Sequence, residues 1–321
     1  MPYSHHSHSG QFCKHAVGTL EEVVQEALRQ GFETYCLTEH VPRYRSEDLY
    51  PEEEGTSLQE LAEQFGAFIG EAQRLKKAYA SNIRILVGLE TEHITVKDLD
   101  GLSEVLSRYG DQIDMVVGSV HHVNGLPIDF DKQTYETCIS SIDSVTGDAP
   151  GLEQANLGRY LELYFDAQFE VLKRFHPEVV GHVDLCRLYT PTLDLRRFER
   201  AWEKLTRNVI YAVGYGALFE ANAAALRKGW TASYPGHGVL ELIQEHGGRL
   251  ALSDDSHGPQ AVGLNYARMR EYLLGAGVRE VWTLQHNTTP NAGGRYTQAV
   301  RVKGNWWEHR YWHESGSAVI P

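Results

Sequence analysis

The sequence contains few cysteines, no long apolar run and a deficit of basic residues. Its four cysteines form no Cys-x-x-Cys pair, which favours free thiols over a disulfide framework. No apolar run reaches the length of a membrane span, and no signal sequence opens the chain. With 30 Lys and Arg against 43 Asp and Glu, the net charge is -13, which disfavours a nucleic-acid partner. These absences predict a cytoplasmic protein with neither a membrane nor a nucleic-acid partner.

A Gly-x-Gly-x-x-Gly motif is also missing after the early strand-like segments, which argues against a nucleotide-binding doubly wound sheet. Short β-rich runs alternate with segments of helical periodicity, a pattern that predicts parallel strands joined by crossover helices. The predicted strands are Thr34–Thr38, Ile83–Gly88, Ile113–Gly118, Glu178–Val183, Ala217–Asn222, Arg249–Ser253 and Arg279–Leu284. The predicted helices are Leu20–Gln30, Leu58–Ala80, Leu99–Arg108, Asn156–Phe175, Arg197–Val213, Val239–His246 and Gln260–Gly275. We therefore expect an α/β fold with a closed or nearly closed barrel, and an open doubly wound sheet is the alternative.

The alternation is interrupted at two places and stops before the end of the chain. No linker or repeat is visible, so we expect one domain over residues 1–321. Insertions at about 41–56 and 123–153 are long enough to act as lids or binding loops. The tail, at about 286–321, is rich in Trp and Tyr, and we predict that these rings dock it against the barrel.

Histidines and carboxylates cluster at the ends of the predicted strands. The opening His6-Ser7-His8 places two imidazoles on one face of an extended segment, and imidazole is a common ligand of zinc and related metals. A fortuitous His-rich opening is the alternative for that segment alone. In a parallel barrel the C-terminal strand ends meet on one face, where active sites are built. The predicted ligands of a metal site on this face are His6, His8, His15, His40, Glu90, His121, His182, Asp255 and His257.

This set of donors limits the number and kind of ions. Nine nitrogen and oxygen ligands suffice for three divalent ions if some of them bridge two ions and water completes the coordination. Such ligands suit zinc, iron or manganese. Cys13 lies inside the first loop, where we interpret it as a small packing residue in preference to a ligand.

Six short motifs surround these residues in a fixed order. They are His6-x-His8, Thr38-Glu39-His40, Gly88-Leu89-Glu90, Ser119-Val120-His121, Gly181-His182-x-Asp184 and Asp255-Ser256-His257. Over nearly the whole chain this series resembles the polymerase and histidinol phosphatase (PHP) family. The opening segment and residues 220–228 are similar to its histidinol-phosphatase branch. The resemblance implies a distorted TIM-like barrel of seven β/α units that binds up to three metals at the strand ends.

By position in the motifs, the resemblance also divides the ligands among three ions. It implies one ion held by His6, His8, Glu90 and Asp255, a second held by Glu90, His121 and His182, and a third held by His15, His40 and His257. In two adjacent pairs it selects Asp255 over Asp254 and His121 over His122.

Substrate-binding residues are expected on the same face. Arg187 and Arg227 follow two strand ends, where a guanidinium clamps a phosphate, and the resemblance places phosphate-binding arginines there. Lys228 and Arg43 are further candidates, and His122 is expected to lie behind the ligands or to face the substrate. A cationic amino-alcohol substrate also needs a carboxylate partner. The candidates, among which the sequence does not choose, are Glu39, Glu92 and Glu220.

The reaction that the resemblance implies is hydrolysis of L-histidinol phosphate to L-histidinol and phosphate. Clustered divalent ions lower the pKa of bound water and neutralise charge on the phosphate. We therefore predict direct attack by a metal-bound hydroxide, with Glu90, Asp255 and His257 as catalytic residues. No Cys-x5-Arg loop or Asp-x-Asp-x-Thr opening suggests a covalent phosphatase.

Three other functions are compatible with a metal-binding barrel. A nucleotide or oligonucleotide phosphoesterase of the same family is disfavoured by the acidic charge. A non-catalytic metal-binding protein or sensor would lack the arginine clamp. An amidohydrolase would carry a metal-bridging lysine at the end of a middle strand, and no lysine lies at those ends. The sequence does not predict the oligomeric state.

Overall fold

Most strands in the computed structural model, which describes residues 2–142 and 152–314, run parallel and curve into a barrel. The strands are β1 Tyr3–Ser4, β2 Ser7–His8, β3 Thr34–Leu37, β4 Arg84–Glu90, β5 Met115–Gly118, β6 His122–Val123, β7 Leu126–Pro127, β8 Val179–Val180, β9 Leu218–Asn222, β10 Arg249–Ser253, β11 Ser256–His257, β12 Trp282–His286 and β13 Thr297–Arg301. The helices are α1 Leu20–Arg29, α2 Leu58–Ala78, α3 Val96–Tyr109, α4 Lys132–Ser140, α5 Leu152–Phe175, α6 Glu199–Tyr215, α7 Ala224–Arg227, α8 His237–Glu245, α9 Tyr266–Gly275 and α10 Tyr311–Glu314.

The strand order explains why the sheet closes. The main sheet runs β1-β3-β4-β5-β8-β9-β10-β12-β13. The His5 amide, just after β1, donates to the Leu252 carbonyl of β10 at 3.2 Å, and β2 pairs in parallel with β11. Seven parallel strands, from β1 to β10 in this order, therefore enclose a distorted (β/α)7 TIM-like barrel. The predicted barrel is confirmed, and the open doubly wound alternative is wrong.

Helix boundaries follow local capping chemistry. Helix α2 begins after Ser57, whose hydroxyl accepts from the Glu60 amide while the Glu60 carboxylate accepts from the Ser57 amide. This capping box satisfies two backbone donors at the helix end. The apolar side of α2 then buries Phe65, Phe68 and Ile69 in the core. Local sequence signals thus place the long helix that packs on β4.

One predicted helix is divided in two. The predicted segment Gln260–Gly275 contains a 3-10 turn at Pro259–Ala261 and then α9. Between them Gly263 and Asn265 have φ angles of 68° and 64°. These left-handed conformations end a helix, so the periodicity alone was misleading here.

The insertions and the tail contain structure that the alternation did not predict. Strands β6 and β7 form a hairpin that begins one residue before the predicted insertion 123–153, and α4 lies within this insertion, of which residues 143–151 lie outside the described part. In the tail, of which residues 315–321 also lie outside the described part, β13 pairs antiparallel with β12. Trp306 and Tyr311 are buried against the core, and Trp312 Nε1 donates to the Trp306 carbonyl. Among the described residues no helix is long and apolar enough to cross a membrane.

Candidate metal centre and active site

Glu90, at the C-terminal end of β4, is the centre of a dense group of side chains. Its Oε2 lies 3.2 Å from His6 Nε2 and 3.3 Å from His8 Nε2. Its Oε1 lies 3.2 Å from His121 Nε2 and 3.0 Å from His182 Nε2. Asp255 Oδ1 completes this group, 3.9 and 3.8 Å from the same nitrogens of His6 and His8. We call these six residues the inner group.

Three further carboxylates lie behind imidazoles of the inner group. The contacts are His6 Nδ1 to Glu220 Oε1 at 2.9 Å, His8 Nδ1 to Glu39 Oε2 at 3.4 Å, and His121 Nδ1 to Glu92 Oε1 at 3.2 Å. A carboxylate behind a histidine fixes the ring so that the opposite nitrogen faces the metal. Here that nitrogen is Nε2 in all three, and each points at Glu90.

A second set of donors lies beside the inner group and closer to solvent. The rings of His15 and His40 have centroids 5.5 Å apart, and those of His15 and His257 are 5.2 Å apart. His15 is exposed, and His40 and His257 are half-buried. His40 also reaches the inner group, with Nδ1 3.0 Å from Glu90 Oε2. We call these three histidines the outer group.

The two groups have opposite electrostatic character. Burial alone disfavours a charged imidazole, but Glu90, Asp255 and Glu220 outweigh it and hold the pKa of His6 well above its usual value. In the same way Glu39 and Glu90 raise the pKa of His8 to about 9 against the effect of burial. In the outer group, burial and the neighbouring His8 hold the pKa values of His40 and His257 well below the usual value.

The donor set fits a divalent metal centre. Imidazole nitrogens and carboxylate oxygens meet in triads such as His6, Glu90 and His182, or His6, His8 and Asp255, whose donor atoms lie within 4.8 Å of one another. Metal ligands in proteins are commonly imidazoles and carboxylates, and a further carboxylate often contacts the far nitrogen of each imidazole. The cluster has this arrangement. The chemistry of the cluster therefore supports one or more divalent ions.

The cluster forms part of the wall of a cavity of about 730 Å³. Besides metal-type ligands, the wall has basic, acidic and aromatic side chains. These are Arg227, Lys228, Glu52, Asp129, Asp131, Tyr50 and Phe130. A cavity of this size accommodates a small molecule.

Comparison with known proteins agrees with this geometry. The sequence model of the PHP domain matches residues 4–224. The chain belongs to the PHP family. It is 42% identical over 309 residues to the probable histidinol-phosphatase of Schizosaccharomyces pombe, covering 95% of this chain and 96% of that one. It is 32% identical to the histidinol-phosphatase of Saccharomyces cerevisiae, covering 85% and 88%.

A solved structure shares the PHP fold at lower sequence identity. It is the histidinol phosphate phosphatase of Lactococcus lactis, complexed with zinc, L-histidinol and phosphate. This neighbour has a TM-score of 0.58 and 18% identity, covering 92% of this chain and 98% of that one. The family resemblance and the barrel drawn from the sequence are thus confirmed.

Of the two predicted phosphate-binding arginines, one lines the cavity described above and the other does not. Arg227 lines it, with Nη1 and Nη2 each 3.4 Å from the Asp255 carbonyl, and Lys228 is beside it. Arg187 is only 7% exposed, and its guanidinium donates to Asp184 and to the Leu193 carbonyl. The structure therefore places Arg187 behind the cavity wall.

Three other predicted substrate residues also lie outside the set that lines the cavity. Glu220 is fully buried, and besides His6 it accepts from the His182 amide at 2.8 Å. Arg43 donates to the Val41 carbonyl and lies 3.9 Å from the centre of the Tyr50 ring. His122 Nδ1 is 3.3 Å from Glu92 Oε1. Each position suits support of the site better than contact with a substrate.

The adjacent aspartates have separate environments. Asp255 has a left-handed φ of 47° and faces His6 and His8. Asp254 points away, accepting from Ser4 Oγ at 2.8 Å and from Tyr35 Oη at 3.1 Å. Asp254 therefore ties the opening strand to the barrel, while Asp255 is the carboxylate placed to bind a metal.

The acidic residues of the cavity wall were missed in the sequence. Glu52 lies in the first insertion, and Asp129 and Asp131 lie in the second. Neither segment has a periodicity or a strand end that would single them out. The only available signal was the prediction that long insertions act as lids or binding loops, and these two do line the cavity.

Proposed function

We propose that this protein is a metal-dependent histidinol-phosphatase that hydrolyses L-histidinol phosphate to L-histidinol and phosphate. The observation that carries the proposal is a single cavity lined by metal-type ligands, basic side chains and acidic side chains. A phosphate monoester with a cationic organic part needs all three. The names of the relatives point to the same reaction.

The strand order separates the basic and acidic parts of the cavity. Arg227 and Lys228 follow β9, whereas the insertions with Glu52 and Asp129 follow β3 and the β5 end. In the barrel order β1-β3-β4-β5-β8-β9-β10, strand β9 lies three strands from β3 and two strands from β5. A substrate can therefore place its phosphate beside Arg227 and its ammonium beside the insertions.

The phosphate end fits the region around Asp255. The Arg227 guanidinium is held beside the Asp255 carbonyl at 3.4 Å, so it presents its donors next to the inner group. A guanidinium binds two phosphate oxygens at once, and Lys228 adds a second positive charge.

The organic end fits the insertions. Glu52, Asp129 and Asp131 supply negative charge for an ammonium. Tyr50 and Phe130, whose rings are 5.0 Å apart, supply an aromatic surface for an imidazole ring. This assignment replaces the earlier candidates Glu39, Glu92 and Glu220 with residues that line the cavity.

The proposed metal centre consists of three divalent ions, zinc, iron or manganese, held by the inner and outer groups. When bound, such ions activate water for attack on phosphorus and offset the charge of the phosphate oxygens. Glu90 and Asp255 hold the inner imidazoles together, and the carboxylates behind them keep Nε2 directed inward. His257 lies at the phosphate side, with Nδ1 3.1 Å from the Asp255 carbonyl.

The proposal extends to the whole chain as one PHP domain with its C-terminal tail docked on the barrel. We propose further that the protein is cytoplasmic, acts on a small phosphorylated substrate and has no nucleic-acid partner.

The test is phosphate release from L-histidinol phosphate beside sugar phosphates and nucleotides, before and after chelation and with zinc, iron or manganese added back. We expect a strong preference for histidinol phosphate that chelation abolishes and metal restores. Cleavage of nucleotides alone would contradict the proposed substrate. Bound metal without hydrolysis would favour a non-catalytic sensor function.

Two variants test the assignment of the cavity ends. Arg227→Ala should lower kcat/KM by roughly 10²-fold or more, whereas Arg196→Ala, which removes an exposed arginine paired with Glu241, should have no effect. Asp129→Asn should raise KM for histidinol phosphate and leave KM for glycerol phosphate, which has no ammonium, unchanged. An equal effect on both substrates would contradict the ammonium assignment.

A further inference from the structure

The outer group has a fourth donor that the sequence led us to interpret as a packing residue. Cys13 Sγ lies 3.2 Å from His15 Nε2. It also forms a cluster with His15, His40 and His257 in which the four donor atoms all lie within 4.8 Å of one another. Three imidazoles and one sulfur thus converge on one point at the edge of the inner group.

The environment of Cys13 differs from that of the other three cysteines. Cys36, Cys138 and Cys186 belong to the buried hydrophobic clusters of the protein. Cys13 is also buried, at 5% exposed, yet it belongs to neither cluster. Its surroundings include His15 and the Glu39 carboxylate. A cysteine kept only for packing would be expected among apolar side chains.

The backbone holds this sulfur in place. The Cys13 amide donates to the Ser9 carbonyl at 2.9 Å, and the Ala16 amide donates to the Cys13 carbonyl at 3.0 Å. The Val17 amide then donates to the His257 carbonyl at 3.1 Å. The loop is therefore fastened at both ends to the strands that carry the metal ligands.

The spacing suits a tetrahedral ion. Zinc lies about 2.3 Å from a thiolate sulfur and about 2.0–2.1 Å from an imidazole nitrogen, so the donors of a tetrahedral site are roughly 3.3–3.6 Å apart. The sulfur and the His15 nitrogen are already at about this separation. All four donor atoms lie within 4.8 Å of one another, so small side-chain rotations would bring the remaining pairs to this spacing.

Glu39 is the competing partner for the thiol, because Cys13, His8 and Glu39 also have donor atoms within 4.8 Å of one another. The hydrogen-bond contact that the structure gives the Cys13 sulfur is with His15, however, and not with Glu39. The Oε1 atom of Glu39 accepts from the Ser9 amide and hydroxyl at 2.8 and 2.7 Å, and its Oε2 faces His8 Nδ1 at 3.4 Å. The sulfur thus remains available to the outer group.

We propose that Cys13 is the fourth protein ligand of the outer metal ion and makes that site selective for zinc. The thiol proton passes to solvent when the metal binds. A soft thiolate donor favours zinc over manganese, whereas the inner group has only nitrogen and oxygen donors. The inference rests on the proposed function, because it requires that the outer group hold a metal.

Cobalt(II) substitution of the full chain tests the inference without measuring activity. A thiolate bound to cobalt gives an intense near-ultraviolet charge-transfer band, and nitrogen or oxygen ligands do not. The metal-stripped protein is titrated with cobalt, and bound equivalents are counted together with the spectrum. We expect three equivalents, one of which brings the band. Cys13→Ser should abolish the band and weaken zinc binding by at least about tenfold at one site, with little change for manganese.

Cys138→Ser is the matched control, since that thiol is buried and donates to the Val123 carbonyl far along the chain, and it should retain the band. Three bound equivalents without a band in the wild type would overturn the role of Cys13 and leave the proposed function intact. Fewer than three equivalents without a band would overturn the outer metal site, and the phosphate-release assay then tests the proposed function separately. The wild-type spectrum decides the question even when Cys13→Ser does not fold.

Discussion

The inner and outer groups use the same kind of side chain in opposite ways. In the inner group His6, His8 and His121 each have a carboxylate behind them and another in front. In the outer group His40 and His257 each face a single carboxylate, that of Glu90 at 3.0 Å and that of Asp255 at 3.6 Å, and the sulfur of Cys13 is beside His15. A carboxylate on each side gives an imidazole a fixed orientation and a high pKa, whereas burial with at most one carboxylate contact leaves an imidazole neutral.

This difference predicts how the two parts bind metal. In the inner group a metal must displace protons, but it then gains ligands already oriented toward it. In the outer group the imidazoles are already neutral, but they are held less firmly and closer to solvent. We therefore expect the inner ions to be retained on dialysis and the outer ion to exchange.

The largest effect is expected from Glu90, because it contacts histidines of both groups. Glu90→Gln should lower kcat/KM by more than roughly 10³-fold, beyond the loss of a single charge-stabilising donor. Metal analysis should find at least two equivalents lost. Retention of all three ions with unchanged activity would contradict the central position of Glu90.

A smaller effect is expected in the outer group. His15→Ala removes one exposed ligand and leaves every contact of the inner group in place. We expect loss of one metal equivalent and a decrease in kcat/KM of roughly 10–100-fold, the range found for weakened metal ligation. If His15→Ala released all three ions, the division into two groups would be wrong.

A variant of Glu220 tests whether this residue orients a metal ligand or binds the substrate. Because its carboxylate contacts His6 Nδ1 at 2.9 Å and lies outside the cavity, Glu220→Gln should weaken one inner metal site by roughly tenfold. KM for histidinol phosphate, measured at saturating metal, should be unchanged. A raised KM with normal metal affinity would instead support the earlier expectation that Glu220 binds the substrate.

The sequence predicted the parts of the site that depend on strand ends. Strand Arg249–Ser253 was predicted with the observed bounds, so the position of Asp255 beyond it followed. The predicted histidines lie close together because parallel strands bring their C-terminal ends to one face. Glu90 could be placed for the same reason, although β4 is longer than predicted.

Side-chain direction could not be predicted in the same way. Arg187 and Arg227 both follow strand ends. The guanidinium of Arg187, however, forms an ion pair with Asp184, three residues earlier. Gly236 accommodates this arrangement, since a Cβ there would lie 2.2 Å from Arg187 Nη2. The contact with Gly236 joins segments distant in sequence, and neither periodicity nor motif spacing encodes it. The antiparallel strand β13 was missed because a tail has no partner in the alternation.

The smallest predicted effect is the pH dependence of stability in the metal-free protein. The pKa of His8 is raised to about 9 in the folded state, above about 6.5 for an unfolded chain. Its protonated form therefore stabilises the fold fully below pH 6.5, and this stability is lost as pH rises through 9. His40 and His257, whose pKa values are held below the usual value, have the opposite sign, and their contribution is lost as pH falls below about 6.5.

Thermal unfolding with and without zinc separates these contributions. Between pH 6.5 and 9 the Tm of the metal-free protein should fall by several degrees. For a large domain, each kcal/mol lost from the free energy of unfolding lowers Tm by roughly 2–4 °C. The zinc-loaded protein should lack this slope, because the metal holds His8 neutral throughout. Glu39→Gln, which removes one of the two carboxylates that raise the His8 pKa, should flatten the metal-free slope. A slope that persists with zinc bound would mean that His8 is not a ligand, and the inner group would then lose one of its members.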